Sequence, residues 1–245
     1  MVCASIMNVE LLGEYMRTLL FTTGSPFARG VRVILDELGL DYERREEITT
    51  PTVEERASAS PTLQVPTLWD GDTTLWESGL IADYLLSKYP ERPDAHPPLV
   101  ASITTIENEW ADKLILATVQ TLGTAATIIS QMKWSGIAYP DNEFLTRSAE
   151  RLPFLMKWLE DNLANEQQGF IEGCVSVQDI FLTCHLGFIA NRPIGLDPEL
   201  GKYPKVNAMV RRMEERASFQ DNPILWWEPG VIGYADDGKT PVFDN

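Results

Sequence analysis

Apolar and polar residues alternate along the chain in two different rhythms. Leu19-Leu20-Phe21 lies within a short run at 17–22 that stops at Gly24-Ser25-Pro26. An apolar run of that length closed by turn residues predicts a buried strand. The spacing then widens: Val31, Ile34, Leu35 and Leu38 recur at three and four residues, which predicts a helix ended by Gly39 at its C′ position. Residues 41–48 read as a second strand. An extended stretch so soon after a helix makes a βαβ unit with a parallel pair. Residues 49–63, with Pro51 and Pro61 among serines and threonines, read as a loop holding at most one weak helix.

The next pattern is a hairpin. Val65-Pro66-Thr67-Leu68-Trp69 and Thr73-Thr74-Leu75-Trp76 flank Asp70-Gly71-Asp72, an Asp-Gly turn between two apolar runs. Pro66 cannot donate to a ladder, so it requires a sheet edge, a bulge or a cis turn. After Glu77-Ser78, Leu80, Ile81, Tyr84, Leu85 and Tyr89 have the period of an amphipathic helix that ends before Pro90. Residues 16–89 therefore form a small mixed-sheet domain. Four prolines within residues 90–98 make a linker. Helical periodicity then dominates at about 99–133, 142–164, 177–190 and 204–217, so 99–220 reads as an all-helical domain. The tail, 221–245, with Trp226-Trp227, reads as an irregular strap packed on the helices. Met16 directly precedes the first strand, which sets residues 1–15 apart as either a flexible extension or the product of an early start codon.

Composition narrows the function classes. The 245 residues carry a formal net charge of −16 with a sequence pI near 4.5. Phosphate binding depends on clustered Lys and Arg, and no such cluster occurs, which argues against nucleic acid. Acidity also argues against anionic lipid, and no apolar run is expected to approach the length of a membrane span. The three cysteines, Cys3, Cys174 and Cys184, form no C-x-x-C pair, and His96 and His185 lie far apart, so neither a disulfide framework nor a metal site is expected. Residues 1–15 lack the basic and apolar regions of a secretory signal, and a reducing cytoplasm is the expected location.

Candidate chemistry gathers where the first strand gives way to the first helix. Ser25 precedes Pro26-Phe27-Ala28 there, among unpaired backbone N–H groups and the positive end of a helix dipole, a place that stabilises an anion. Ser25, Glu77-Ser78 and the S-x-x-D spacing of Ser176 and Asp179 are each also readable as helix N-caps. Cys174, Cys184 and His185 read as core groups.

Taken in order, Ser25-Pro26-Phe27 with Val31-Arg32-Val33, then Val65-Pro66-Thr67-Leu68, then Glu77-Ser78 with Ile81-Ala82-Asp83-Tyr84-Leu85, and finally Ser176-Val177-Gln178-Asp179, resemble the cytosolic glutathione transferases. The resemblance runs from Arg17 to about Arg216. It implies an α/β thioredoxin-like N-terminal domain followed by an all-α helical domain, glutathione as co-substrate without a metal, and a homodimer. The proline matching Pro66 is cis in that family, turning Val65 to pair with the cysteinyl unit of glutathione. Glu77 and Ser78 would take the γ-glutamyl end, and Gln64 would either contact the glycyl end or face solvent. Ser25 matches the activating position as a hydrogen-bond donor to the thiolate. With Ala28 in place of a second cysteine, disulfide exchange is disfavoured. The implied activity is attack of that thiolate on an electrophilic carbon of a hydrophobic partner by conjugation, dehalogenation, ether cleavage or isomerisation. The alternative is a non-catalytic binding or interaction protein of the same fold. Phe27, Trp110, Leu114, Thr118, Met132, Trp134 and Tyr139 are candidates for the second-substrate wall. Gly30 departs from the family's frequent basic residue at this point.

Overall fold

The structure, a computed structural model, describes residues 16–47, 52–89, 99–100, 108–165, 169–225, 231–235 and 241–243. The expected extension at 1–15, the proline-rich linker at 90–98 with His96, and Trp226-Trp227 lie outside the described residues. The first domain follows the expected order: β1 (Arg17–Phe21), α1 (Pro26–Glu37), β2 (Tyr42–Glu46), α2 (Val53–Ala59), β3 (Thr67–Asp70), β4 (Thr73–Trp76) and α3 (Ser78–Lys88). Its sheet runs β2-β1-β3-β4. The β1–β2 pair is parallel and the others antiparallel, as a βαβ unit followed by a hairpin requires. Leu19, Phe21, Leu68, Ile81 and Leu85 meet between sheet and helices and are fully buried.

In the loop expected at 49–63, the weak helix is present as α2. Thr52 accepts from Glu55 N–H at 3.2 Å while Glu55 accepts from Thr52 N–H, a reciprocal cap that holds a short helix with little burial. At the other end of the sheet, Asp70 Oδ2 accepts from Tyr84 Oη, Lys88 Nζ and Tyr89 Oη at 2.9, 3.0 and 2.6 Å. That cluster pins the end of α3 to the hairpin.

The second domain comprises β5 (Leu99–Val100), α4 (Glu109–Trp134), α5 (Glu143–Glu150), α6 (Leu152–Asn162), β6 (Val175–Ser176), α7 (Val177–Ala190), α8 (Pro204–Glu214) and α9 (Ala217–Gln220). Three expectations need correction. Leu99 and Val100 do not begin a helix; they pair in parallel with Val175 and Ser176. The helix expected at 142–164 is two, broken at Arg151 before Pro153, whose ring suits the first turn of a new helix. The tail is not wholly irregular, since β7 (Val231–Tyr234) and β8 (Pro241–Phe243) form an antiparallel hairpin.

Helix α7 is the core of this domain, buried along almost its whole length. Ser176 Oγ accepts from Asp179 N–H at 3.1 Å, and the Asp179 carboxylate accepts from Ser176 N–H and Phe170 N–H at 2.8 and 3.0 Å, so the expected capping box is complete. Cys184 is fully buried, whereas Cys174 is half-buried and so only partly a core residue. Helix α4 is long and apolar enough, by length and composition, to cross a membrane, a property hidden in the sequence by interspersed threonines. Its Val119, Leu122, Ala126 and Ile129 are instead buried within the protein core.

Candidate functional site

Helix α1 begins where β1 ends, and the Gly24 turn delivers Ser25 to the N-cap. Ser25 Oγ accepts from Ala28 N–H at 3.2 Å, so the cap is made. That bond uses an acceptor lone pair, and the hydroxyl proton has no acceptor among the described residues. Ser25 is thus both the cap and a free donor at the positive end of α1.

Across a cleft of about 330 Å³ stands the approach to β3. The Val65–Pro66 peptide bond is cis. The ladder between β1 and β3 ends with Leu20 opposite Thr67, so Val65 lies beyond the paired register and lines the cleft instead. Glu77 and Ser78 complete this side. Glu77 has φ of 69° and makes no side-chain cap bond to α3, unlike Ser25, Thr52 and Ser176 on their helices. Leu63, also on the cleft wall, has φ of 58°. Side chains rarely occupy that region without compensation, and such backbone concentrates at ligand sites.

The cleft therefore gathers Ser25, Phe27, Gln64, Val65, Pro66, Glu77 and Ser78 from the first domain and Trp134 from the second. Trp110 and Leu114 do not belong to it. They stand 76% and 56% exposed near the start of α4, where Lys113 lies over the Trp110 ring, whereas the residues that α4 gives the cleft run from Thr124 to Trp134. Thr118, Met132 and Tyr139 are likewise absent from the cleft wall, and Tyr139 Oη donates to Gly195 O at 3.2 Å.

Several wall residues escaped the sequence reading: Arg56, Thr124, Thr127, Ser130, Gln131 and Phe188. Arg56 Nη2 pairs with Glu47 at 2.6 Å and Nη1 donates to Leu63 O at 3.1 Å, so the guanidinium sits at the rim beside Gln64. Thr124, Thr127 and Gln131 recur at three and four residues along α4, and that polar stripe was a signal available in the sequence.

Beneath the cleft floor, Phe27 meets His185 edge-on with ring centroids 4.7 Å apart. The imidazole is fully buried, and burial pushes its pKa down to about 3. Its Nε2 donates to Gln120 Oε1 at 3.0 Å, which places the proton of the neutral ring on Nε2, and burial keeps it a neutral core group, as the sequence reading expected.

Residues 19–93 match the family model for the glutathione S-transferase N-terminal domain. The chain has a glutathione transferase fold. It superposes on a glutathione S-transferase from Methylobacillus flagellatus KT, solved with GSH bound, with a TM-score of 0.69 and 22% identity over 87% of this chain and 99% of that one. A Methylobacterium radiotolerans glutathione S-transferase in complex with glutathione sulfonate gives 0.70 and 20% identity over 90% and 98%. Among curated proteins, the glutathione S-transferase-like protein gedE of Aspergillus terreus is 32% identical over 93 residues, which is 36% of this chain and 40% of gedE. A stringent starvation protein A homolog of Haemophilus influenzae is 25% identical over 177 residues, 69% of this chain and 76% of that protein. In this glutathione transferase fold, the cleft lies between the thioredoxin-like and helical domains, where small-molecule sites commonly form.

Proposed function

We propose that the protein is a glutathione transferase that holds glutathione in this cleft and ionises its thiol beside Ser25. The observation that carries the reading is the convergence on one cleft of three elements. They are a capping serine with a free proton, an unpaired residue before a cis proline, and a helix start without a side-chain cap. Glutathione has a complementary group for each. Its cysteinyl backbone adds beside Val65 like a further strand, its γ-glutamyl carboxylate takes the N–H groups and hydroxyl at Ser78, and Glu77 faces its ammonium. Ser25 Oγ–H then donates to the sulfur, and with the α1 dipole it favours thiolate over thiol at neutral pH. The proton leaves to solvent, a carbon–sulfur bond forms at the electrophile, and the electron pair departs with the leaving group or remains on the acceptor.

A second reading, binding without turnover, draws on the starvation-protein relative, whose name carries no transferase activity. One experiment separates them. Calorimetry is expected to show glutathione binding to wild type, and ultraviolet absorbance to show a bound thiol more acidic than the free one. Ser25→Ala is expected to raise that thiol pKa by about one unit and to lower kcat/KM about 10²-fold. Wild type that does not bind glutathione overturns the proposal. A variant that ionises it equally well reduces Ser25 to a cap, and a wild type that binds and ionises without turning over any aryl halide, aryl ether or epoxide leaves the binding protein.

A further inference from the structure

A purely hydrocarbon electrophile requires only an apolar wall. The wall that α4 gives the cleft is instead rich in hydroxyls and amide, with Thr124, Thr127, Ser130 and Gln131 alongside Ile128 and Trp134. Hydroxyls on a helix ordinarily satisfy themselves by donating to the carbonyl one turn back. Thr118, Thr121 and Thr127 do so, donating to Leu114 O, Ala117 O and Gly123 O at 2.8, 2.8 and 3.0 Å. Ser130 does not. It is 1% exposed, its Oγ is closed off from solvent, and that Oγ has no hydrogen-bond partner although the residue lines the cleft. A buried hydroxyl without a partner has lost its water and gained nothing, and such groups in native structures call for an explanation.

We propose that the second substrate is an oxygenated aromatic, whose hydroxyl or carbonyl oxygen bonds Ser130 while its ring packs against Phe27, Trp134 and Phe188. This rests on the glutathione reading and specifies the partner of the same site. The three aromatic side chains account for the ring, since offset and edge-on contacts favour aromatic partners. Ser130 accounts for the oxygen. A serine hydroxyl donates or accepts, and a χ1 step between staggered positions re-aims it without moving the helix, so either oxygen type suits it. A site with a buried polar group discriminates strongly against an analogue that leaves the group unpaired, far more than an apolar pocket discriminates between sizes.

The test uses chemically synthesised conjugates, so it does not depend on turnover. S-(3-hydroxymethylbenzyl)- and S-(4-hydroxymethylbenzyl)glutathione are compared by calorimetry with their ethylbenzyl counterparts, which exchange the hydroxyl for a methyl of similar size. Wild type is expected to bind at least one hydroxymethyl isomer about tenfold more tightly than its ethyl counterpart. Ser130→Ala, a change that a helix accepts readily, is expected to bring that ratio close to one. Because the ratio is taken within one protein, altered glutathione contacts cancel from it. If glutathione binds but wild type favours the ethyl compounds, or if Ser130→Ala keeps the preference, the substrate proposal is overturned and the glutathione reading stands. If neither glutathione nor any conjugate binds, both fall together.

Discussion

His185 shows how one buried side chain ties the stability of the fold to pH. Its pKa is about 3 in the folded protein and about 6.5 when exposed, so between those values the unfolded chain binds the extra proton. The neutral imidazole therefore leaves stability undiminished above pH 6.5, and stability is lost as pH falls from there towards 3. From pH 7 to pH 5 the loss from this residue is on the order of 2 kcal/mol. Urea titrations of wild type and His185→Gln at both pH values check this: the variant is expected to lack that part of the decline. Equal declines would mean that His185 gains its proton without unfolding. Because Phe27 rests on this ring, the same loss of packing reaches the cleft floor. Ser25 was legible at this scale, since a serine before a proline at a strand-to-helix turn is a local pattern. Ser130 was not, because its lack of a partner is a fact about its neighbours.

At the scale of elements, the decisive contact is between α1 and α7. Gly30 lies where a β-carbon would stand 2.3 and 2.5 Å from Phe181 Cε1 and Cδ1. This gives a physical reason for the departure noted in the sequence: a basic side chain has no room on that face of α1. Gly30→Ala is expected to destabilise by about 1–3 kcal/mol through overpacking. The added Phe181→Leu change is expected to recover part of that loss, whereas Gly201→Ala, with no atom within 4 Å, serves as the neutral control. Thermal or urea unfolding of the three variants reads the difference, and a Gly30→Ala as stable as the control would refute the steric account. The β-hairpin and α3 were readable because a two-residue period and a four-residue period are properties of neighbouring positions. The pairing of β5 with β6 was not, because 76 positions separate Leu99 from Val175 and two-residue strands leave no period to detect.

At the scale of the molecule, Arg29 of α1 and Arg216 at the start of α9 hold the halves together. Arg29, only 2% exposed, pairs with Glu214 through Nη1 and Nη2 at 3.0 and 3.1 Å and donates to Asn222 O at 2.7 Å and Phe219 O at 3.3 Å. Arg216 forms a matching fork with Glu37 of α1, both distances 2.7 Å. Arg29→Met removes the donors and leaves buried carbonyls unpaired, for an expected cost of about 3–5 kcal/mol. Since the cleft is made from both domains, it is also expected to weaken glutathione binding. Circular dichroism, which follows the helices, and tryptophan fluorescence are expected to lose their coincidence during urea unfolding of the variant. Coincident transitions with a shift below about 1 kcal/mol would show that the domains are held by other contacts.

The sequence by itself determined what depends on near neighbours: the βαβ-ββα order, the helical second half and the caps of α1 and α7, while the grouping of Ser25, Pro66 and Glu77-Ser78 was implied by the family resemblance. These follow from periodicity, turn chemistry and the few residue types that satisfy helix ends. Tertiary structure alone decided that Arg29 and Arg32, on what reads as the polar face of α1, are buried, that Trp110 and Leu114 face away from the cleft, and that Ser130 lies in its wall without a partner. Periodicity fixes which residues share a helix face. Which face meets another element is set by packing between residues far apart in the chain, and that packing chose the polar stripe of α4 as the second wall of the site.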